Sequence, residues 1–191
     1  MGFSKVRNYD FSTDCLIDSS CGKLIKTALV YGRNSSDKSN LGFAVFEIVQ
    51  HLVDKVTRPN AYLYYANADY PDDPVSFKYT FELGGKELLY QYTKTSPSEL
   101  VQESLYVDNE EVFSWNQKTN TSNFSNLSSF GFENLNFVYK DSQLSFLRYL
   151  ANNSPLSENS PIKKSYGLCR FDVMVPTSGY RQYLYGLALR F

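Results

Sequence analysis

The residues with the clearest potential for chemistry lie between Gly32 and Ser39. Gly32 and Lys38-Ser39 stand at the spacing of the phosphate-binding loop G-x-x-x-x-G-K-[ST], but Asp37 occupies the position of its last glycine. In such loops, backbone N–H groups at a helix N-terminus contact phosphate oxygens and a lysine adds positive charge. The segment therefore predicts a nucleotide site in which Lys38 contacts phosphate and Ser39 ligates Mg²⁺.

Asp37 weakens this prediction, because its carboxylate stands where phosphate charge would lie. Two like charges ~4 Å apart repel by roughly 4 kcal/mol at an effective dielectric constant of 20, equivalent to about three decades in affinity. Magnesium or side-chain rotation would reduce this upper limit. We expect a nucleotide site that is inherited and impaired. A polar loop of Ser, Asn and Asp is also an ordinary helix N-cap region, so that alternative stays open.

The elements that would position this loop are a strand before it and a helix after it. Ile25 to Tyr31 is a short apolar run typical of a buried strand. After Lys38, apolar residues recur at three- and four-residue steps and predict a helix of about four turns, ending near Lys55. We expect His51, the only histidine of the chain, on the polar side of this helix, with no partner for a metal or general-base role.

The middle of the chain alternates in the manner of antiparallel strands. Val75–Phe81 and Leu88–Tyr92 flank Gly84-Gly85 and predict a hairpin. Leu100–Val107 and Glu111–Trp115 predict a second pair. The many aromatic residues on these strands favour core packing over base stacking, because no basic groove accompanies them.

Six further segments are predicted from local composition. They are an edge strand at Phe3–Phe11, a polar turn region at Asp14–Cys21, a surface loop at Lys118–Ser129, a strand at Leu135–Tyr139, and a helix at Leu144–Leu150 followed by a loop from Asn152 to Pro161.

Composition narrows the function classes. The net charge is −1 and no long basic run occurs, so nothing in the bulk sequence indicates a nucleic acid or an anionic membrane as partner. No apolar run is long enough to span a bilayer, and the start of the chain lacks the apolar core of a signal peptide. We therefore expect a cytoplasmic protein in which Cys15, Cys21 and Cys169 are free thiols.

The order of these features resembles bacterial AAA-type ATPases with ABC-like heads. That family is related to the SMC and Rad50 heads and to the ATPases of phage-defence and abortive-infection systems. The resemblance covers roughly residues 1–164 and corresponds to the N-terminal part of such a protein. It is carried by Ala28–Asn34, Lys38–Leu41, the helix Gly42–Lys55, the strands Phe77–Phe81 and Leu89–Tyr92, and by Leu147–Tyr149 and Asn152–Leu156.

The resemblance implies an α/β fold, namely a P-loop strand–loop–helix with an antiparallel β subdomain in an incomplete ABC-type head. It implies ATP and Mg²⁺ as cofactors, with Ser39 as the metal ligand. Family loops read G-x-N-G-x-G-K-S-N, so Ser35 and Asp37 replace two glycines here. The nucleotide-binding positions that it implies are Gly32, Asn34, Lys38, Ser39 and Asn40.

Hydrolysis in this family needs a Walker B Asp-Glu pair, a signature segment and a switch histidine, and we find no counterpart for them after Lys164. No residue of this chain is therefore predicted to be catalytic. The expected partners are ATP and either a second copy or a full-length ATPase. Two rival interpretations are a non-enzymatic β-rich interaction module and a pseudo-ATPase that binds nucleotide without turnover.

We divide the chain into a P-loop strand and helix (1–60), an antiparallel β subdomain (61–140), a short helix and linker (141–164), and an atypical tail (165–191). The tail does not continue the pattern of the family. Read one nucleotide on, it can encode the apolar segment that the family would have there, so we expect an out-of-frame remnant. The alternative is a natural C-terminal hairpin around Val173, Val175 and Tyr183–Tyr185.

Overall fold

The structure is a computed structural model. It describes residues 16–19, 22–25, 31–34, 42, 47–52, 69–70, 72–83, 85–132, 144–157, 160–165 and 187–188. The predicted strands Phe3–Phe11 and Leu135–Tyr139 and the three cysteines lie outside these residues.

An antiparallel sheet forms the centre of the described structure. Its strands are β3 (Val75–Leu83), β4 (Lys86–Ser96), β5 (Glu99–Val107), β6 (Glu110–Asn116) and β7 (Thr121–Asn123). These five strands follow one another in space in chain order, and the two-residue β8 (Leu187–Ala188) adds to the free side of β3. Both predicted hairpins are confirmed.

Tight turns fix the register of these hairpins. Leu83 pairs with Lys86, so two residues connect β3 to β4, and Gly85 has a φ of 77°. Between β5 and β6, Asp108 and Asn109 both have positive φ, at 50° and 67°. Positive φ at both central residues matches the right-handed twist of the flanking strands and is well tolerated by Asp and Asn.

The sheet has one buried face and one face that is half-exposed. Residues of β3 and β4 alternate between buried and partly exposed, as the period of two requires. The buried face is rich in aromatic side chains, which pack in cross-strand pairs such as Tyr79 with Tyr90 and Phe77 with Tyr92. The interpretation of these aromatic residues as core is confirmed.

Three helical segments cover the buried face. They are α1 (47–52), α2 (Phe146–Asn153) and α3 (161–165). Residue 42 is also helical, so every described residue of the predicted helix 42–55 is helical. Ile48 and Leu52 of α1 and Leu150 of α2 join the aromatic core, and each is at most 1% exposed.

Several boundary predictions were wrong. Residues Leu16–Ser19 form a strand, β1, that pairs with β2 (Gly22–Ile25), so Asp14–Cys21 is not simply a turn region. Ile25 belongs to β2 and Tyr31 is irregular, while residues 26–30 of the predicted strand Ile25–Tyr31 lie outside the described residues. The alternation in these short segments is too weak for sequence reasoning to place strand ends.

The predicted loop Lys118–Ser129 contains β7 and leads into a 3-10 helix at Leu127–Phe130, because Leu127 is buried beside the sheet. The predicted helix Leu144–Leu150 begins two residues later, after its N-cap Ser145, and continues to Asn153. Part of the predicted loop Asn152–Pro161 is therefore helical. The described architecture is an α/β fold built on an antiparallel sheet.

Candidate functional site

The predicted phosphate loop is described only in its first part. Gly32 and Asn34 lie in an irregular exposed segment, and Tyr31 directly before them is 86% exposed. Lys38, Ser39 and Asn40, with Ser35 and Asp37, lie outside the described residues. The structure therefore places two of the five predicted nucleotide-binding residues on the surface and leaves the grouping of all five as a prediction.

The helix that follows this loop is held to the sheet by an ion pair. Lys94 Nζ of β4 lies 2.6 Å from Glu47 Oε1 of α1, and the two side chains are 7% and 4% exposed. Lys94 Nζ also donates to the backbone oxygen of Pro97 at 3.3 Å and lies 5.5 Å from the centre of the Tyr92 ring. A buried pair of this kind needs such additional contacts to offset the loss of water.

One helical turn later, His51 packs against the same strand. Its ring stacks on Tyr92 with centroids 3.9 Å apart, and its Nε2 lies 2.8 Å from the hydroxyl oxygen of Tyr90. His51 is 9% exposed, so the prediction that it lies on the polar side of the helix was wrong. Residues 47 and 51 lie four positions apart, on the helix face that meets the sheet.

The most unusual residue of the buried face is Glu103 in β5, which is 0% exposed. Five hydrogen-bond donors from the described residues converge on its carboxylate. Oε1 accepts from Tyr90 Oη (2.6 Å), Ser145 Oγ (2.9 Å) and Leu147 N (3.0 Å), and Oε2 accepts from Phe146 N (2.7 Å) and Trp115 Nε1 (3.3 Å).

Two of these donors are backbone groups in the first turn of α2. The first N–H groups of a helix have no partner within the helix, and its N-terminus carries partial positive charge. Glu103 satisfies Phe146 and Leu147, while the N-cap Ser145 accepts from Arg148 N at 3.2 Å. The strand thus supplies from 43 residues away the carboxylate that caps α2.

The protonation states follow from this geometry. Burial raises the pKa of Glu103, whereas the hydrogen bonds from Tyr90, Leu147, Phe146 and Ser145 lower it. With five donors aimed at its two oxygens, the side chain is a carboxylate. Tyr90 donates its proton to Glu103, so His51 donates from Nε2 to the Tyr90 oxygen.

His51 is neutral at pH 7. Burial lowers its pKa well below the usual value of 6.5, and the positive charges of Lys94 and Arg148 lower it further. The result is a chain of buried hydrogen bonds from His51 through Tyr90 to Glu103 and the start of α2. A substrate could not reach these groups without displacing a helix, because Tyr90 is 1% and Glu103 0% exposed.

Sequence reasoning missed Glu47, Lys94 and Glu103, although the two strand residues, Lys94 and Glu103, carried a signal. Lys94 is in phase with Tyr90 and Tyr92 along β4, and Glu103 is in phase with Leu105 along β5. A charged residue in phase with the apolar face of a strand is buried if the strand is. What the sequence did not reveal was the partner of each charge.

Two absences concern only the part of the chain that the structure describes. In those residues, no three His, Cys, Asp or Glu side chains gather into a group that could hold a metal ion. The helices found there are too short or too polar to cross a bilayer. The predicted Mg²⁺ ligand Ser39 lies outside the described residues.

We compared the chain with known proteins by sequence and by structure. No protein-family model matches the sequence, and neither the curated proteins nor the solved structures give a significant match.

Proposed function

We propose that this chain is the N-terminal, ATP-binding part of an ABC-type ATPase head, with impaired nucleotide binding and no hydrolysis on its own. The observation that carries the proposal is the spacing of Gly32 and Lys38-Ser39 in the sequence, followed along the chain by helical residues at 42 and 47–52. In it, Gly32 makes the turn, Lys38 contacts phosphate and Ser39 holds Mg²⁺, with Asn34 and Asn40 lining the loop.

The anchoring of α1 supports this proposal. A phosphate loop binds well only if its backbone is fixed before the ligand arrives. The Glu47–Lys94 pair and the His51–Tyr92 stack attach the helix to the sheet 8 and 12 residues after Ser39 of the predicted loop. Apolar contacts of Ile48 and Leu52 add to the attachment.

The test is Mg-ATP binding measured by calorimetry on this chain and on the double variant Ser35→Gly, Asp37→Gly. We expect the variant to bind and the original chain to bind up to about a thousand times more weakly, the limit set by the repulsion between Asp37 and phosphate. Adding Lys38→Ala to the double variant should remove binding, because that change deletes the cation and leaves the glycines in place.

The results separate the alternatives. Equal binding by both proteins would show that Asp37 is tolerated and would favour a pseudo-ATPase. Absence of binding by the folded double variant, checked by circular dichroism, would refute the nucleotide site.

A second candidate function is a β-rich interaction module. The observation in its favour is that β7 is the outermost strand of the described sheet on its side, and all three of its residues are exposed. An outermost strand can accept a strand from another chain. Sedimentation velocity of the chain and of Ser122→Pro tests this, because proline removes a backbone donor. Self-association that Ser122→Pro abolishes, in the absence of ATP, would favour the module.

A further inference from the structure

A single chain of buried hydrogen bonds touches both α1 and α2. It begins at His51 Nε2 on α1, passes through the Tyr90 hydroxyl at 2.8 Å, and reaches Glu103 Oε1 at 2.6 Å. From Glu103 it continues to the backbone N–H groups of Phe146 and Leu147 in the first turn of α2. The two helices, distant in sequence, are thus joined through two sheet residues.

We infer that this chain couples the docking of α1 to the docking of α2, so that a change at either helix alters the order of the other. Moving His51 away removes the donor to the Tyr90 oxygen, so the Tyr90 hydroxyl is less polarised and donates less strongly to Glu103. The carboxylate then holds the first turn of α2 less well. In the opposite direction, a change at Ser145 acts first on Glu103, then on Tyr90 and finally on His51.

Burial makes these links effective. Tyr90, Glu103 and Ser145 are 1%, 0% and 2% exposed, so water does not replace a partner that is lost. Ser145 adds a second link, because its Oγ lies 3.2 Å from the Tyr90 hydroxyl and 2.9 Å from Glu103. A coupling free energy between two sites acts equally in both directions.

The coupling also suggests a use. Since α1 follows the Lys38-Ser39 loop, phosphate bound there would order α1 and, through Tyr90 and Glu103, the start of α2. This use rests on the proposed nucleotide site, whereas the coupling itself needs no ligand.

The test is hydrogen–deuterium exchange of peptides that cover 47–52 and 144–157, measured in the full chain. Ser145→Ala removes the cap of α2 without touching α1. We expect exchange about fivefold faster in 144–157, the usual effect of a lost N-cap. Coupling predicts that exchange in 47–52 also becomes about twofold faster or more.

Ser145→Ala in a Tyr90→Phe background completes a double-mutant cycle. Without the hydroxyl, Ser145→Ala should no longer change exchange in 47–52. The matched control is Tyr92→Phe, which removes a hydroxyl from the same strand and face but from outside the chain, and should leave the response of 47–52 intact. If Tyr90→Phe does not fold, His51→Asn replaces it, with exchange in 144–157 as the readout of the reverse direction.

Three results would overturn the coupling. They are no response of 47–52 to Ser145→Ala, the same response in the presence and absence of the Tyr90 hydroxyl, and equal acceleration in every peptide, including those of β4 and β5. Calorimetry separates failure of the coupling from failure of the nucleotide proposal. A positive cycle in a protein that binds no Mg-ATP after Ser35→Gly and Asp37→Gly would support the coupling and refute the nucleotide site.

Discussion

The two principal helices dock on the same face of the sheet, but they bury charge in opposite ways. On the α1 side, the carboxylate of Glu47 meets a full positive charge on Lys94. On the α2 side, the carboxylate of Glu103 meets five neutral donors, two of them at a helix N-terminus. Both arrangements remove a negative charge from water inside one core.

This difference determines how strongly the stability of each side depends on any single partner residue. A formal ion pair concentrates compensation for a buried charge in one oppositely charged residue, so losing that residue leaves a large part of the charge uncompensated. Several neutral hydrogen-bond donors share the stabilisation of the Glu103 charge, so each donor contributes only a part of it. On the α1 side, a single substitution should therefore cause a large loss of stability. On the α2 side, loss of one donor should cause a smaller loss.

The strongest test is Lys94→Met. It keeps most of the buried stem and removes the charge opposite Glu47, whose side chain is 4% exposed. We expect a loss of about 3–5 kcal/mol in the free energy of unfolding, the usual cost of removing one partner of a buried pair. Urea unfolding measures it, with an unchanged m-value as the sign that only stability has changed.

The double variant Glu47→Leu, Lys94→Met is the control for this prediction. Replacing both charges by apolar groups of similar size removes the desolvation cost of each, so stability should return to within about 1 kcal/mol of the original. A double variant as unstable as Lys94→Met alone would show that packing of the lysine stem, and not the loss of positive charge opposite Glu47, accounts for the lower stability.

The next test is Glu103→Gln on the α2 side. The amide oxygen can keep the three donors at Oε1, but its NH₂ group then faces Phe146 N and Trp115 Nε1, which are also donors. We expect a loss of about 2–4 kcal/mol, measured in the same way. For comparison, Trp115→Phe removes one donor and should cost about 1 kcal/mol for that hydrogen bond. An equal loss of stability in the two variants would contradict the idea that the five donors share the stabilisation of the Glu103 charge.

The sheet could be predicted from the sequence because its signals are local. Alternation in Val75–Leu83 and Lys86–Ser96, and the turn residues Asp108 and Asn109, lie within a few positions of what they determine. The helix stripe of Ile48 and Leu52 was equally readable. Short segments such as Leu16–Ser19 gave no comparable pattern, so their strands were missed.

The polar contacts could not be predicted, because they join residues that are distant along the chain. Glu47 and Lys94 are 47 residues apart, and Glu103 and Leu147 are 44 apart. Sequence phase shows that Glu103 faces the core, but only the packing of α2 shows which donors it meets. His51 was misplaced for the same reason, since its partners belong to β4.

A third prediction concerns pH. Burial lowers the pKa of His51 well below 6.5, so below pH 6.5 the unfolded chain takes up a proton that the folded chain does not. Stability is therefore fully present above pH 6.5 and falls as the pH decreases. Between pH 7.5 and 5.5 the free energy of unfolding should fall by about 1 kcal/mol from this residue. Urea unfolding at both pH values measures the change.

The assignment is direct, because the chain has one histidine. The groups that face it are Glu47 on its own helix, Tyr90, Tyr92 and Lys94 on β4, and Arg148 on α2. The raised pKa of Glu103 acts with the opposite sign, because its folded form binds a proton more readily than its unfolded form. His51→Gln should therefore abolish the fall in stability, and a fall that persists in this variant would assign it elsewhere.

The last prediction distinguishes two tyrosines on one strand. The Tyr90 hydroxyl contacts His51 and Glu103, whereas the Tyr92 hydroxyl is buried with no hydrogen-bond partner among the described residues. A buried hydroxyl without a partner costs stability, so Tyr92→Phe should be neutral or stabilising by up to about 1 kcal/mol, while Tyr90→Phe destabilises by about 2 kcal/mol. Both variants keep the aromatic ring, so the difference measures the hydroxyl contacts. Equal losses would mean that ring packing, and not the hydrogen-bond chain to Glu103, makes this strand the support for both helices.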